Sequence, residues 1–123
     1  MGSSSLVSVV DDDQSVRESL PDLLREFGFA SRAFSSAKEF LASAYVAQTK
    51  CLILDLAMPG MSGLELQQEL IRRNWDIPIV FITAQGDESV RPRLISEGAV
   101  ECLFKPFSDV ALLTALNAAL RMS

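Results

Sequence analysis

Five short apolar runs follow one another along the chain, and each is followed by a segment in which apolar residues recur at helical spacing. Runs that are apolar at nearly every position are typical of parallel strands covered on both faces. The alternation therefore predicts an α/β fold, a doubly wound (βα)5 arrangement of a five-stranded parallel sheet between helices. The predicted strands are residues 6–10, 29–34, 51–54, 77–82 and 101–104.

Capping residues mark where several of the predicted helices begin. Ser36 with Glu39, and Ser62 with Glu65, have the spacing of capping boxes, in which each side chain accepts a backbone N–H of the first turn. Ser108 is predicted to cap the last helix.

Two prolines modify the predicted helices. Pro21 lies inside the first helix, where its missing N–H and its ring predict a kink. Pro92 lies in the fourth helical segment and is tolerated well only in a first turn, so it predicts a short or late-starting helix.

Length and composition limit what this chain can do. Its 123 residues fit one domain, and a net charge of −5 without a cluster of Lys and Arg argues against direct binding of nucleic acid. No apolar run is long enough to cross a membrane, and there is no histidine to carry a phosphoryl group or bind a metal. Residues 1–5, Met-Gly-Ser-Ser-Ser, are predicted to be an added leader before a domain at 6–123. Cys51 and Cys102 are predicted to be reduced thiols in apolar surroundings.

Polar residues follow the predicted strands at the point where each strand ends. Asp11 and Asp12 follow the first strand, while Asp55, Thr83 and Lys105 end or follow the third, fourth and fifth. Because ligands of doubly wound sheets bind beyond the carboxyl ends of the strands, these side chains are expected to meet at one edge. Crowded carboxylates raise one another's pKa or recruit a hard cation such as Mg²⁺, for which Mn²⁺ could substitute. Asp55 could then act as a carboxylate nucleophile that accepts a phosphoryl group.

Each of these residues also has a structural interpretation. The triplet at residues 11–13 could be a solvated acidic cluster favoured at a helix start, and Asp55 could simply begin a turn. Thr83 could be an ordinary strand residue, and Lys105 with Pro106 could form a loop that ends the strand. Their joint occurrence at successive strand ends favours the functional interpretation.

Several motifs together resemble the receiver domain of bacterial response regulators, over residues 6 to about 120. The motifs are Ser-Val-Val-Asp-Asp at residues 8–12, Val-Arg-Glu-Ser-Leu at 16–20, Leu-Asp-Leu-Ala-Met-Pro-Gly-Met-Ser-Gly at 54–63, Phe-Ile-Thr-Ala at 81–84 and Lys-Pro-Phe at 105–107. Gly-Leu-Glu-Leu at residues 63–66 and Gly-Asp at 86–87 resemble the FixJ branch of that family. The resemblance implies a fold like that of flavodoxin and CheY, with strand order 2-1-3-4-5.

The resemblance also implies roles for individual residues at the site. Asp55 would be the phosphoacceptor. Mg²⁺ would be bound by the carboxylates of Asp12 and Asp55 and by the backbone carbonyl of Ala57, with Asp11 assisting through a water molecule.

Residues after the last two strands would sense the phosphoryl group. Thr83, Ala84 and Lys105 would contact it and draw the following loops into an active arrangement. The peptide between Lys105 and Pro106 is a candidate for the cis isomer, as in the family.

The chain departs from the family at two positions. Receiver domains usually carry Tyr or Phe three residues before the lysine, but this chain has Cys102 there. Phe104 lies two positions along on the same strand face, so it does not simply replace that ring. Together with Pro92 in the fourth helix, this suggests the hypothesis that the domain signals mainly by rearranging the fourth helix and the loop before it.

The resemblance implies partners and a setting. A sensor histidine kinase would supply the phosphoryl group in the cytoplasm, and the fourth helix, fifth strand and fifth helix would form a phosphorylation-dependent homodimer. DNA would be bound by a C-terminal domain outside this chain, which makes the chain the receiver part of a transcriptional regulator. The domain would assist only its own phosphorylation and dephosphorylation and would not be an enzyme for outside substrates.

Three other functions share parts of this pattern. Phosphatases of the haloacid dehalogenase type also use an aspartyl nucleophile, but they place a second Asp where this chain has Ala57. A flavodoxin-like FMN module would need phosphate-binding donors after the first strand, where this chain has acidic residues. A receiver-like interaction module that works without phosphorylation is a further alternative.

Overall fold

The computed structural model describes residues 5–84 and 88–121, and within them five strands alternate with five helices. Residues 1–4 of the leader predicted at 1–5 and the Gly-Asp motif at 86–87 lie outside the described residues. Ser5 is described, and its carbonyl accepts the Ala30 N–H at 3.1 Å. The strands are β1 Leu6–Val10, β2 Ala30–Phe34, β3 Thr49–Asp55, β4 Ile79–Thr83 and β5 Glu101–Phe104. The helices are α1 Gln14–Glu26, α2 Ala37–Ala42, α3 Gly63–Arg72, α4 Val90–Ser96 and α5 Asp109–Arg121, with a short 3-10 helix at Val46–Gln48.

The sheet is parallel throughout and has the strand order β2-β1-β3-β4-β5, which confirms the predicted topology. Two apolar clusters lie on its opposite faces. One packs α1 and α5 against the sheet through residues such as Leu24 and Leu116, and the other packs α2, α3 and α4 through residues such as Phe40, Leu66 and Leu94. Every residue of β4 is buried, as expected for a strand covered on both faces.

Two strands begin two residues away from their predicted starts, for different physical reasons. β3 begins at Thr49, two residues earlier than predicted, because Leu6 of β1 pairs with Thr49 and the buried Ser8 and Thr49 hydroxyls are 2.7 Å apart. β4 begins at Ile79, two residues later than predicted, because Pro78 has no N–H to offer the ladder. The hydrophobicity of the sequence predicts neither the pairing of Thr49 nor the effect of Pro78.

The predicted helix caps are mostly present. Ser62 and Glu65 form a complete capping box, and the Ser108 hydroxyl accepts the Ala111 N–H at 3.0 Å. The capping box predicted at Ser36 was half wrong. The Ser36 hydroxyl accepts the Glu39 N–H, but the Glu39 carboxylate accepts the N–H of Ser35 at 2.7 Å rather than that of Ser36.

The prolines affect the helices differently. α1 is assigned as a single continuous helix through Pro21, so this residue does not break it. Pro92 is the third residue of α4, which has only seven residues, as the sequence predicted. Among the described residues, no helix combines the length and apolar character that a membrane crossing requires.

Gly63 controls how closely the loop after β3 folds back onto the strand end. It is the first residue of α3, and its N–H donates to the Leu56 carbonyl at 3.0 Å. A Cβ atom at this position would lie 2.3 Å from the Asp55 carbonyl oxygen and 3.0 Å from the Leu56 Cα, which are both backbone atoms. Glycine therefore permits the close approach that positions the end of β3.

We expect Gly63→Ala to lower the free energy of unfolding by about 1–3 kcal/mol, because the added methyl group must displace backbone. Urea unfolding measures this loss. Gly28→Ala is the matched control, since Gly28 has φ 92° but nothing within 4 Å of the added Cβ. Both variants should lose stability, but only Gly63→Ala should shift the Asp55 and Leu56 amide resonances strongly. Undisturbed resonances in Gly63→Ala would contradict this role.

Candidate functional site

Three carboxylates meet at the carboxyl edge of the sheet. Asp11 follows β1 and Asp55 ends β3, and these strands are hydrogen-bonded neighbours, with Val10 opposite Leu54. Asp11, Asp12 and Asp55 can each place a carboxylate oxygen within 4.8 Å of the others. Asp11 and Asp55 are buried, whereas Asp12 is exposed at the rim. The fold therefore holds two carboxylates out of solvent and leaves the third accessible.

The three acidic residues at 11–13 have two different roles, one in capping a helix and one in the carboxylate cluster. Asp13 is the N-cap of α1, and its carboxylate accepts the Ser15 N–H at 2.9 Å and the Ser15 hydroxyl at 2.8 Å. These hydrogen bonds hold the pKa of Asp13 below its usual value. The helix-start interpretation is thus correct for Asp13, while Asp11 and Asp12 belong to the carboxylate cluster.

Lys105 supplies the positive charge at this edge. Its ammonium group donates to the Asp11 carboxylate at 3.0 Å, and its backbone N–H donates to the Thr83 carbonyl at 2.8 Å. The side chain is only 21% exposed, so this ion pair is largely shielded from water. The Lys105–Pro106 peptide is cis, as the resemblance implied. The lysine thereby links the loop after β5 to the loop after β1.

Asp55 has an unusual protonation equilibrium. Burial is the largest of the causes that together raise the pKa of Asp55 from 3.8 to about 7, and the charge on Asp11 and a hydrogen bond between Asp55 and Asp12 act in the same direction. The Lys105 ammonium opposes this rise without cancelling it. A divalent cation would relieve the same repulsion, and an oxygen-only donor set with an exposed member fits Mg²⁺.

The other predicted residues surround this cluster. Thr83 is buried at the end of β4, one residue beyond Ile82, which pairs with Asp55. Ala57 and Ala84 lie exposed in the loops that follow β3 and β4. Their side chains carry no polar group, so any contribution to the site must come from their backbones.

The structure confirms that Cys102 and Phe104 share one face of β5. Cys102 is buried opposite Phe81, and Phe104 packs against the same apolar cluster. Burial raises the pKa of the Cys102 thiol, so it is a protonated apolar side chain at neutral pH. Burial likewise raises the pKa of Cys51 to about 12, and both cysteines are free thiols as predicted.

Two arginines that support this region were missed as functional candidates. Arg17 of α1 donates to the Asp11 carbonyl at 3.0 Å and ties the helix to the carboxylate edge. Its sequence signal was present, since it lies in the motif at residues 16–20. Arg91 of α4 donates to the Cys102 carbonyl at 3.2 and 3.0 Å. No local sequence pattern predicts that contact, because it joins residues eleven positions apart.

A surface cavity of about 400 Å³ lies beside Lys105, between α1 and the loop that joins β5 to α5. Its lining is mainly apolar and includes the side chains of Val16, Leu20, Leu23, Pro106 and Phe107. The groove adjoins the carboxylate cluster through Lys105, which lines it and pairs with Asp11.

Comparisons with known proteins show which family this chain belongs to. Residues 7–117 match the family described as the response regulator receiver domain. The chain is 49% identical over 115 residues to Nodulation protein W of Bradyrhizobium diazoefficiens, covering 94% of this chain and 51% of that protein. It is 39% identical over 123 residues to the transcriptional regulatory protein FixJ of Azorhizobium caulinodans, covering all of this chain and 58% of that protein. The chain therefore spans about half the length of these curated relatives.

The crystal structure of FixJ-N is also similar. It superposes with a TM-score of 0.86 at 35% sequence identity, covering 100% of this chain and 98% of that one. The shared architecture extends over the whole domain.

The raised pKa of Asp55 predicts how metal-free protein responds to pH. The proton binds the folded state more tightly than the unfolded state, so stability falls as pH rises from about 4 to about 7. The rise from 3.8 to about 7 corresponds to at most about 4 kcal/mol. With metal removed by a chelator, Asp55→Asn should be more stable than wild type by about 2–4 kcal/mol at pH 8 and nearly equal to it at pH 4.

Urea unfolding at both pH values measures this difference. Asp22→Asn is the control, because the Asp22 carboxylate lies on the exposed face of α1 and is not one of the three clustered carboxylates. Equal stability of wild type and Asp55→Asn at pH 8 would show that the pKa of Asp55 is not raised in the folded protein.

Proposed function

The chain belongs to the response regulator receiver domain family, and from that membership we propose that it is a switch turned on by phosphorylation of Asp55. The observation that supports this most is the convergence of three carboxylates and Lys105 at the end of β3. Asp55 is the member of this cluster that ends a central strand, with Asp11, Asp12 and Lys105 around it. It is therefore the natural nucleophile of the group.

Mg²⁺, or Mn²⁺ in its place, would be held by the carboxylates of Asp12 and Asp55 and by the Ala57 carbonyl, with Asp11 acting through water. The donor set fits, because all of these ligands are oxygens and Asp12 is accessible from solvent. When bound, the ion supplies positive charge that offsets the negative charge of the phosphoryl oxygens.

Phosphoryl transfer would proceed in line from a phosphohistidine of a sensor kinase. An Asp55 carboxylate oxygen forms a bond to phosphorus while the bond from phosphorus to the imidazole nitrogen breaks, and the imidazole keeps the electron pair and gains a proton. Lys105 can turn from Asp11 towards the phosphoryl oxygens, since its ammonium group lies at the cluster already. Thr83 and the backbone at Ala84 would hold the phosphoryl group from β4 and shift the population towards the active conformer.

The domain would not turn over outside substrates. In this chain the residue two positions after the nucleophile is Ala57, which cannot act as the acid or base that aspartyl phosphatases use there. The chain also contains no histidine that could replace it. The chemistry is thus limited to the aspartyl phosphate of the domain itself.

The partners follow from the same proposal. The sensor histidine kinase would dock over the groove beside Lys105, because its phosphohistidine must reach Asp55 from that edge. The surface of α4, β5 and α5 would form a phosphorylation-dependent homodimer in the cytoplasm. Because the net charge is −5, DNA binding and transcription regulation would belong to a domain outside this chain, as the relative FixJ is a transcriptional regulatory protein.

Cys102 favours one alternative. Without the family's aromatic ring, the domain could be an interaction module whose contacts do not depend on phosphorylation. The two functions differ in whether Asp55 accepts a phosphoryl group at all.

We expect intact-protein mass to increase by one phosphoryl group after incubation with acetyl phosphate and Mg²⁺, and to stay unchanged when the metal is chelated. Asp55→Asn should show no increase. Asp12→Asn should be slowed at least about tenfold, because it loses a direct metal ligand.

Asp13→Asn is the matched control within the same acidic triplet. It caps α1 and Asn caps helices as well as Asp does, so phosphorylation should proceed at close to the wild-type rate. No mass increase in wild type, with Mg²⁺ binding demonstrated separately, would favour the interaction module instead.

A further inference from the structure

Arg91 fastens α4 to β5 at the position where the family's aromatic ring is missing. Its Nε and Nη2 groups both donate to the Cys102 backbone carbonyl, at 3.2 and 3.0 Å. The side chain is 37% exposed, so its inner part packs on the strand while its edge faces solvent. A single side chain thus joins the second residue of the helix to the strand.

Two acidic groups hold the guanidinium in this orientation. Glu88 lies 3.3 Å from Nη1 and Glu101 lies 3.4 Å from Nε. Each ion pair is partly exposed and is weak by itself. Together with the two hydrogen bonds to the Cys102 carbonyl, they give Nε, Nη1 and Nη2 each a partner and so restrain the plane of the guanidinium.

Phe104 provides the surface on which Arg91 rests. The Arg91 Cζ atom lies 5.1 Å from the centroid of the Phe104 ring, within the range of a cation–π interaction. The ring is therefore covered by the helix on one side and belongs to the sheet on the other.

Phe104 is also the register partner of Thr83 on the neighbouring strand. Register partners in a parallel sheet direct their side chains to the same face. Phe81 and Cys102, the next pair along the two strands, lie on the face that contacts α4, so Thr83 and Phe104 lie on it as well. Thr83 and Phe104 are thus neighbours on one face of the sheet, and Arg91 of α4 lies over Phe104.

α4 has few other attachments to the sheet. It has seven residues, its third is Pro92, and Leu94 is the one residue of the helix that is buried. A short helix with little buried apolar surface is easily released, because local stability follows buried contacts and hydrogen bonds. In the first turn Val90 packs against the apolar cluster and Arg91 bonds to β5, so the hold of Arg91 helps to keep that turn in place.

We propose that Arg91, resting on Phe104, is the positioning residue through which the state of Asp55 reaches α4. When Thr83 moves towards the phosphoryl group, the space beside Phe104 changes, the ring follows, and Arg91 loses its surface and its alignment with the Cys102 carbonyl. The first turn of α4 is then freed. This inference rests on the proposed function, since it concerns how phosphorylation at the same site is transmitted.

Hydrogen exchange of residues 88–98, with and without acetyl phosphate and Mg²⁺, tests the proposal. In wild type, phosphorylation should speed exchange in this segment about tenfold, since about one charge-assisted hydrogen bond is lost. Arg91→Ala should exchange at the fast rate in both states. Arg91→Lys should behave like Arg91→Ala, because a point charge cannot make the planar bidentate contact. Phe104→Leu should likewise reduce the difference in exchange rate between the unphosphorylated and the phosphorylated protein.

Arg93→Ala is the matched control. It removes the same charge from the same helix, but Arg93 is 68% exposed and pairs with Glu97 on its own helix. Its exchange should respond to phosphorylation as in wild type. All variants should gain the phosphoryl group at the wild-type rate within about twofold, because Arg91 and Phe104 do not form part of the carboxylate cluster.

The outcomes separate the two proposals. If wild type and Arg91→Ala both gain the phosphoryl group and both show the same change in exchange, Arg91 does not transmit the signal and this inference is wrong. The inference is also wrong if Arg91→Lys exchanges like wild type. It is wrong as well if Arg93→Ala exchanges like Arg91→Ala. If wild type gains no phosphoryl group, the proposed function fails and this inference fails with it.

Discussion

The crowding of carboxylates beside an apolar sheet is the constraint on which the rest of the site depends. Asp11 and Asp55 end neighbouring strands whose preceding residues are fully buried, so water cannot separate their charges. Burial is the largest cause of the raised pKa of Asp55, and the charge of Asp11 adds to it. The charge of Lys105 lowers the pKa of Asp55 but does not cancel the rise. The site therefore favours binding of a proton or a cation, or a change in the charge of Asp55.

The strand order makes this arrangement possible. Because β1 lies between β2 and β3, the loops after β1 and β3 leave the sheet towards opposite faces and open a crevice at the switch point. Lys105 comes from β5, two strands away from β3, and its long side chain reaches Asp11 across the edge. Gly63 draws the following loop back against the end of β3. Residues from distant parts of the sequence therefore meet at a place determined by topology.

The sequence allowed much of this to be predicted, and the failures have identifiable physical causes. Strand-end position located Asp11, Asp55 and Lys105, since parallel strands place their carboxyl ends together. The capping role of Asp13 was not predicted, because capping depends on the geometry of the turn rather than on composition. The early start of β3 was missed because a polar Thr49 joins the ladder through pairing with β1. The contact of Arg91 with Cys102 is tertiary and leaves no periodic signal.

The position of the aromatic ring on β5 carries the strongest argument about how this receiver differs from its family. In the family the ring stands three residues before the lysine, whereas here the ring on the same face, Phe104, stands one residue before it. Two residues along a strand correspond to about 7 Å, so the ring lies beside Thr83 instead of beneath it. In the transmission that we propose, this ring is displaced sideways, towards α4, when Thr83 moves. Arg91 lies on that side, which makes the short fourth helix the element that such a displacement would reach first.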